Sequence, residues 1–386
     1  MRLLPGFALV ACLLQGCASA PATPPQVDNT FFRDELFKPA TERIEAADVF
    51  ATTPGMKRYL KREIGRQLED KGWHRGLVDA LYREGQLKLE YDSDTTRTAS
   101  QAFEARSGNC LSLVIMTAAF ARELGLQVHF KRIFTEDAWS RVGELQVAST
   151  HVNVTLVSTK HDVRIIARER DWDQLTIDFM PSARGRAWRG YTISEATVVA
   201  MFMNNRAAES IAQGRVDDAY WWARAAIVHE PNFIAAYNTL AVVYHRKGRL
   251  AEAERVLAHV LSREADNTFA LSNQVLVLRG LGRAGEAQVL AARLAKLEPH
   301  PPFHFFDLGR EAMKAGDYKA AREYFTREVQ RDAEYHEFHF WLAAAHYALK
   351  EMEPARRHME IAMKNSTSRG DRELYAAKLD RIGTGR

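Results

Sequence analysis

The chain has 386 residues, enough for two domains or for one domain joined to a repeat array. Apolar residues make up 46% and charged residues 26%, the balance of a folded chain, which excludes a wholly disordered one. The net charge of +4 comes from both signs mixed along the chain, and without a basic block no nucleic-acid partner is expected.

Arg2 precedes an apolar stretch from Leu3 to Leu14. This is too short for a membrane span of about 20 residues, and it fits a secretory signal. Leu14-Gln15-Gly16-Cys17 resembles a bacterial lipobox, which implies a signal peptide over residues 1–16 and a lipidated Cys17 as the first mature residue. Leu9-Val10-Ala11-Cys12 and the small-x-small Ala18-Ser19-Ala20 are competing processing signals. Residues 17–29 read as a Pro-rich tether. Ala18 and Ser19 lack the aspartate associated with inner-membrane retention, so an outer-membrane lipoprotein facing the periplasm is expected. With Cys17 acylated, Cys110 is the one free thiol of the mature chain, in a compartment that is normally oxidising.

Residues 30–195 show no long repeat. Thr53-Pro54 opens a helix whose apolar face is Met56, Tyr59, Leu60, Ile64 and Leu68, ended by Gly72. A second helix carries Leu77, Val78, Leu81 and Tyr82. A short helix is expected over Ala99–Ala105, and then one headed by Cys110 and stopped by Gly125. After it the period changes to two. "LQVHFKRIF", "ASTHVNVTLV", "VRIIAR" and "DQLTIDFM" read as strands, with His151, Asn153 and Thr155 on a polar face opposite Val152, Val154 and Leu156. Helices followed by an antiparallel run predict an α+β domain.

A cysteine attacks a carbonyl only as the thiolate, and a helix N-terminus or a neighbouring histidine favours that form. Gly108 and Asn109 place Cys110 at a helix start, where backbone N–H groups also suit a developing oxyanion. His151 and Asp178 follow, with His129 and His161 as other histidines close in sequence. Antiparallel neighbouring strands would bring His151 and Asp178 together on one face.

The segment "ASQAFEARSGNCLSLVIMTAAFARELGLQVHF" resembles the nucleophile region of the transglutaminase-like superfamily. The matching pieces are Arg106-x-Gly108-x-Cys110, Ala121-Arg122-Glu123-Leu124-Gly125-Leu126, His151-Val152, and Trp172 ahead of Asp178. The resemblance covers residues 99–181. It departs from the family at Asn109, where aspartate is usual, and in a longer segment between His151 and Asp178, with room for a hairpin around His161-Asp162. It implies a papain-like α+β fold with Cys110 as nucleophile, His151 as general base and acid, and Asp178 orienting it. It implies acyl transfer at amide bonds of a protein or peptide substrate, with no metal or cofactor. The oxyanion donors would be the Cys110 N–H and one side chain, for which Trp73 and Gln101 are candidates.

From Ala200 the chain repeats. Gly214, Gly248, Gly282 and Gly316 are spaced by 34 residues, and Ala219, Ala253, Ala287, Ala321 and Ala355 keep the same step. This resembles the tetratricopeptide repeat, an all-α solenoid of helical pairs. Five units are expected over residues 200–365, the last with Lys350 in place of the turn glycine, followed by a capping helix and tail over residues 366–386. Phe303, Phe306, Arg310, Phe340 and Tyr347 fall at first-helix positions that would line an apolar groove for a peptide or pack against the first domain. His336, His339 and His346 read as packing residues, since they lack the helical H-E-x-x-H spacing. Two functions follow: an envelope-anchored thiol acyl-transfer enzyme (peptidase, amidase or transglutaminase) whose array binds a substrate or partner protein, or an inactive scaffold that acts through the repeats alone.

Overall fold

The computed structural model describes residues 27–82, 87, 89–93, 95–133, 139–142, 145–148, 151–157, 174–179, 190–366 and 368–384. Cys17, its lipobox, the signal segment, most of the tether, the "VRIIAR" strand, His161-Asp162 and Trp172 lie outside the described residues.

The helical start of the first half follows the expected pattern with one irregularity. After α1 (Ala46–Val49), helix α2 (Pro54–Arg58) is capped by the Thr53 side chain and runs into one π-helical turn, Tyr59–Glu63. Helix α3 (Gly65–Lys71) ends at Gly72, whose φ of +79° suits glycine, and α4 (Trp73–Tyr82) follows. Strand β1 (Glu90–Tyr91) pairs in parallel with β2 (Ser107–Gly108), on either side of α5 (Ala99–Ala105). Helix α6 (Cys110–Glu123) is then apolar on nearly every side, and all residues from Leu111 to Ala121 are buried. A helix buried all round sits at the centre of a core.

The strands are β3 (Gln127–Ile133), β4 (Trp139–Val142), β5 (Leu145–Ala148), β6 (His151–Val157), β7 (Gln174–Ile177) and β8 (Gly190–Ile193). The order β7-β6-β3-β8 makes one antiparallel sheet, while β4 and β5 form a separate hairpin. Helix α6 packs on β6 and β3, and also touches α5 and the helix Glu195–Ala212.

Ten helices then pair in sequence: α7 (Glu195–Ala212) with α8 (Val216–His229), α9 (Ile234–Arg246) with α10 (Leu250–Arg263), α11 (Thr268–Gly280) with α12 (Ala284–Leu297), α13 (His304–Ala315) with α14 (Tyr318–Arg331), and α15 (His336–Ala348) with α16 (Met352–Asn365). Helix α17 (Arg369–Thr384) closes the array against α16. The small residues sit where paired helices approach. Ala219, Ala253, Ala321 and Ala355 are fully buried, and a Cβ on Gly309 would stand 2.5 Å from the Phe325 ring. The turn glycines 214, 248, 282 and 316 have φ of 74–78°, and Lys350 adopts the same left-handed backbone at +60°.

The expected boundary between a first domain and the array does not separate two cores. One apolar cluster runs from Phe31 through α6 and the sheet into the first repeats, as far as Val277. The segment before α1 belongs to the array rather than to the sheet. Phe37 stacks on Tyr220 with ring centroids 3.8 Å apart, and Phe31 meets Tyr237 and His259. The Tyr244 hydroxyl donates to the Phe31 carbonyl at 2.7 Å, the Trp221 indole to that of Lys38 at 2.6 Å, and the Thr41 N–H to Asp218 at 2.8 Å. An arm with two 3-10 turns, Asn29–Phe31 and Asp34–Leu36, thus straps onto α8, α9 and α10 through Phe31 and Phe37. The sequence placed these residues in the first half because they lack the 34-residue period.

Candidate active site

Cys110 is the first residue of α6. Its predecessor Asn109 is the N-cap, and its side-chain oxygen accepts from the Ser112 N–H at 2.9 Å and the Ser112 hydroxyl at 2.8 Å. Such a cap contributes about 1 kcal/mol. The other end of the Asn109 amide donates to the Thr96 hydroxyl at 2.7 Å. The Arg97 N–H donates to the Ser112 oxygen at 2.8 Å, so both sides of the helix start are tied to the 96–97 loop. Gly108 is required here because a Cβ would come 2.6 Å from the Ser112 Cβ. The thiol of Cys110 is half-buried.

His151 opens β6, and its ring is buried. Val154 faces Ile177 and Thr155 faces Thr176 across β6 and β7, and the two threonine hydroxyls lie 2.9 Å apart. One further step in this register sets Asp178 opposite Asn153, diagonal to His151 on the same face. His151 Nε2 then meets Asp178 Oδ1 at 2.7 Å. The polar face of β6 is buried where the site lies: His151 and Asn153 are 3% and 6% exposed. Alternation told the faces apart but not that this end of the polar one is covered.

Burial pulls the His151 ring toward its neutral form. The hydrogen bond to Asp178 and the nearby Cys110 side chain, with the charges of both, outweigh it and hold the pKa up at about 10. Asp178 takes Nε2, and Nδ1 is buried without another full hydrogen bond. That leaves Nδ1 as the nitrogen for the sulfur. Tyr91, beside Gly108 in the β1–β2 pair, was not singled out in the sequence. Burial and the nearby Cys110 side chain push its phenol up, and the Cys110 backbone N–H opposes that shift. Of the expected oxyanion side chains, Gln101 instead closes the capping box of α5 with Thr98, and Trp73 packs against the core. Only its three-dimensional neighbour Gly108 could have pointed to Tyr91.

The five residues expected to line a groove do not share one. Phe303 and Phe306 are buried with Phe325, Phe338 and Leu342, inside the contact between the fourth and fifth repeats. Phe340 stacks on Tyr375 of the capping helix at 5.0 Å. Arg310 lies over Phe306 and Trp341, and Tyr347 is exposed. The period marked their helix but not which face the neighbouring repeat would cover. His336 bonds the Tyr375 hydroxyl, and His339 Nδ1 meets His358 Nδ1 at 3.0 Å. Among the described residues no group of three or more His, Cys, Asp or Glu could hold a metal ion, and no helix is long and apolar enough to cross a membrane.

Tetratricopeptide repeat family models match residues 234–267 and 306–366. No curated protein matches the chain. Among solved structures it is similar to YrrB, described as a TPR protein with an unusual peptide-binding site, at 18% identity over 47% of this chain and 92% of that one, with a TM-score of 0.25. It is also similar to pilF of Pseudomonas aeruginosa, at 19% identity over 50% and 94% with a TM-score of 0.29. A thermophilic TPR protein of Thermus thermophilus, TTC0263, matches at 17% identity over 47% and 98% with a TM-score of 0.31. The helical pairs, their glycine turns and the two family matches agree: the C-terminal region of this chain is built of tetratricopeptide repeats.

Proposed function

We propose that the repeats bind a protein partner and that the N-terminal half carries a thiol acyl-transfer centre of the transglutaminase-like kind, held at the cell envelope by a lipid on Cys17. The observation that carries this reading is the 2.7 Å contact of His151 Nε2 with Asp178, on a buried ring whose Nδ1 has no hydrogen-bond partner among the described residues and whose pKa the nearby Cys110 side chain helps to raise. In the reaction the thiol proton resides on His151 Nδ1, in keeping with the raised pKa of the ring, as the sulfur attacks an amide carbonyl carbon. The C–N bond breaks, and the leaving amine takes that proton from the imidazolium. Water or an amine then attacks the thioester and returns a proton to the sulfur. Asp178 keeps the ring oriented and stabilises its cation. The negative oxygen of the tetrahedral stage would meet the Cys110 N–H at the helix start, with the Tyr91 hydroxyl turned to donate beside it.

The test is alkylation by iodoacetamide at pH 6. Cys110 is expected to react far faster than a model thiol, and His151→Ala is expected to slow it to that thiol's rate. Equal, slow rates in both proteins would leave the second reading, a scaffold that acts through the repeats alone. That reading has its own support, since both family matches fall within the repeats.

A further inference from the structure

Between β8 and the first repeats lies a cleft of about 470 Å³, within the roughly 300–1,000 Å³ of sites that hold a ligand. One wall is strand: Tyr191, Thr192 and Ile193 of β8, with Arg132 of β3 beside them. β8 ends its sheet, and no described strand pairs with its outer side. In antiparallel pairing alternate residues turn both N–H and C=O toward the partner, and the residues between turn theirs away. Such an edge is a template for another extended chain.

The facing wall is helical. Asn204 of α7 and Asn238 of α9 hold the same place in successive repeats and both line the cleft. Asn204 is 3% exposed, and its side-chain oxygen has no hydrogen-bond partner among the described residues. A buried carbonyl left without a donor costs about 1–3 kcal/mol, so the cleft is built to receive an N–H there. Asn238 is held by Asn273, which donates to its oxygen at 3.1 Å. Carboxamides both donate and accept, as a peptide bond does. Charge narrows the guest further. Glu230 and Glu264 line the cleft, and Arg132, the one cation among its described lining residues, already donates to the Tyr191 hydroxyl at 3.0 Å.

We propose that this cleft binds an extended polypeptide segment bearing lysine or arginine, added to β8 as a fifth strand, with Asn204 and Asn238 meeting its other main-chain edge and Glu230 and Glu264 its basic side chains. The four residues of β8 span about 13 Å, enough for four residues of the guest. The site does not use Cys110, so binding is read on the full chain carrying Cys110→Ala and is independent of thiol chemistry.

The probe is a fluorescein-labelled, N-acetylated, C-amidated hexapeptide of alternating valine and lysine, followed by fluorescence anisotropy. Saturable binding is expected, and Glu230→Gln with Glu264→Gln should weaken it at least about tenfold, equivalent to ~1.4 kcal/mol. Two further versions, N-methylated at odd or at even amides, leave the protein untouched. In one register or the other, N-methylation should abolish competition. The proposal is overturned if the lysine peptide does not saturate, if a valine–glutamate peptide binds equally well, or if both N-methylated versions compete like the parent.

Discussion

Glu209, in the first repeat helix, accepts the Thr96 N–H at 2.7 Å, and the Thr96 hydroxyl receives the amide of Asn109, the cap of the helix headed by Cys110. Glu209 also pairs with Arg206 at 3.0 Å, and Arg206 reaches Glu42 at 2.6 Å. Glu42 continues to Arg215 and so to Asp218, which holds the N-terminal arm through Thr41. Burial raises the Glu209 pKa, and Thr96 and Arg206 oppose that shift. The thiol, the arm and the repeats are thus one bonded unit. Glu209→Ala leaves the Thr96 N–H without its acceptor, an expected loss of about 1–3 kcal/mol. Denaturant unfolding would measure it. A change confined to the repeat signal, with the environment of Cys110 unmoved, would contradict the coupling.

The helix cap separates two roles of one side chain. Asn109→Ala should cost about 1 kcal/mol. Asn109→Asp keeps the acceptor for Ser112, and the Thr96 hydroxyl can turn to donate to it, so its stability should stay within about 0.5 kcal/mol of the parent. Urea midpoints of the two variants, compared at equal slope, check both values.

The His151 ring makes a prediction with a definite sign. Its folded pKa of about 10 lies above the ordinary 6.5. The stability it contributes is therefore complete below pH 6.5 and is lost as the pH rises toward 10. Unfolding free energies measured from pH 6 to pH 10 should fall more steeply for the parent chain than for His151→Asn. Parallel curves would remove the ring from that role.

Tyr91 tests the oxyanion part of the proposal. Tyr91→Phe should lower acyl transfer from a thioester-forming substrate by about 10²-fold. Alkylation of Cys110, which develops no oxyanion, should change by less than about threefold. An equal loss in both reactions would mean that the hydroxyl only supports the local fold.

Lys350 holds a left-handed backbone that the other four repeats give to glycine. That conformation costs a side-chain-bearing residue about 1–2 kcal/mol, while a glycine costs about 0.5–1 kcal/mol in the unfolded chain. Lys350→Gly should therefore stabilise the last repeat by about 0.5–1 kcal/mol, visible as slower amide exchange in α15 and α16.

Local pattern carried much of this protein. The 34-residue step marked all five helical pairs, because glycine at +φ and alanine at the crossing are demanded by geometry within one repeat. The short helix expected over Ala99–Ala105 is α5, and Asn109 and Gly125 bounded α6, because caps and stops act on their immediate neighbours. Period-two alternation put His151 on the polar face of its strand, the resemblance to the transglutaminase-like superfamily singled out His151 and Asp178, and the β6–β7 register brings the two side chains together. What folding alone decided involves residues far apart in the chain. The arm's Phe37 stacks on Tyr220, Tyr91 comes close to Cys110, and Glu209 reaches Thr96. The cluster of Phe303 and Phe306 is buried by the next repeat. Each depends on which surface covers which. A sequence states the apolar and polar character of a face, and only the packing of the whole chain determines whether that face meets water, a second helix or a buried thiol.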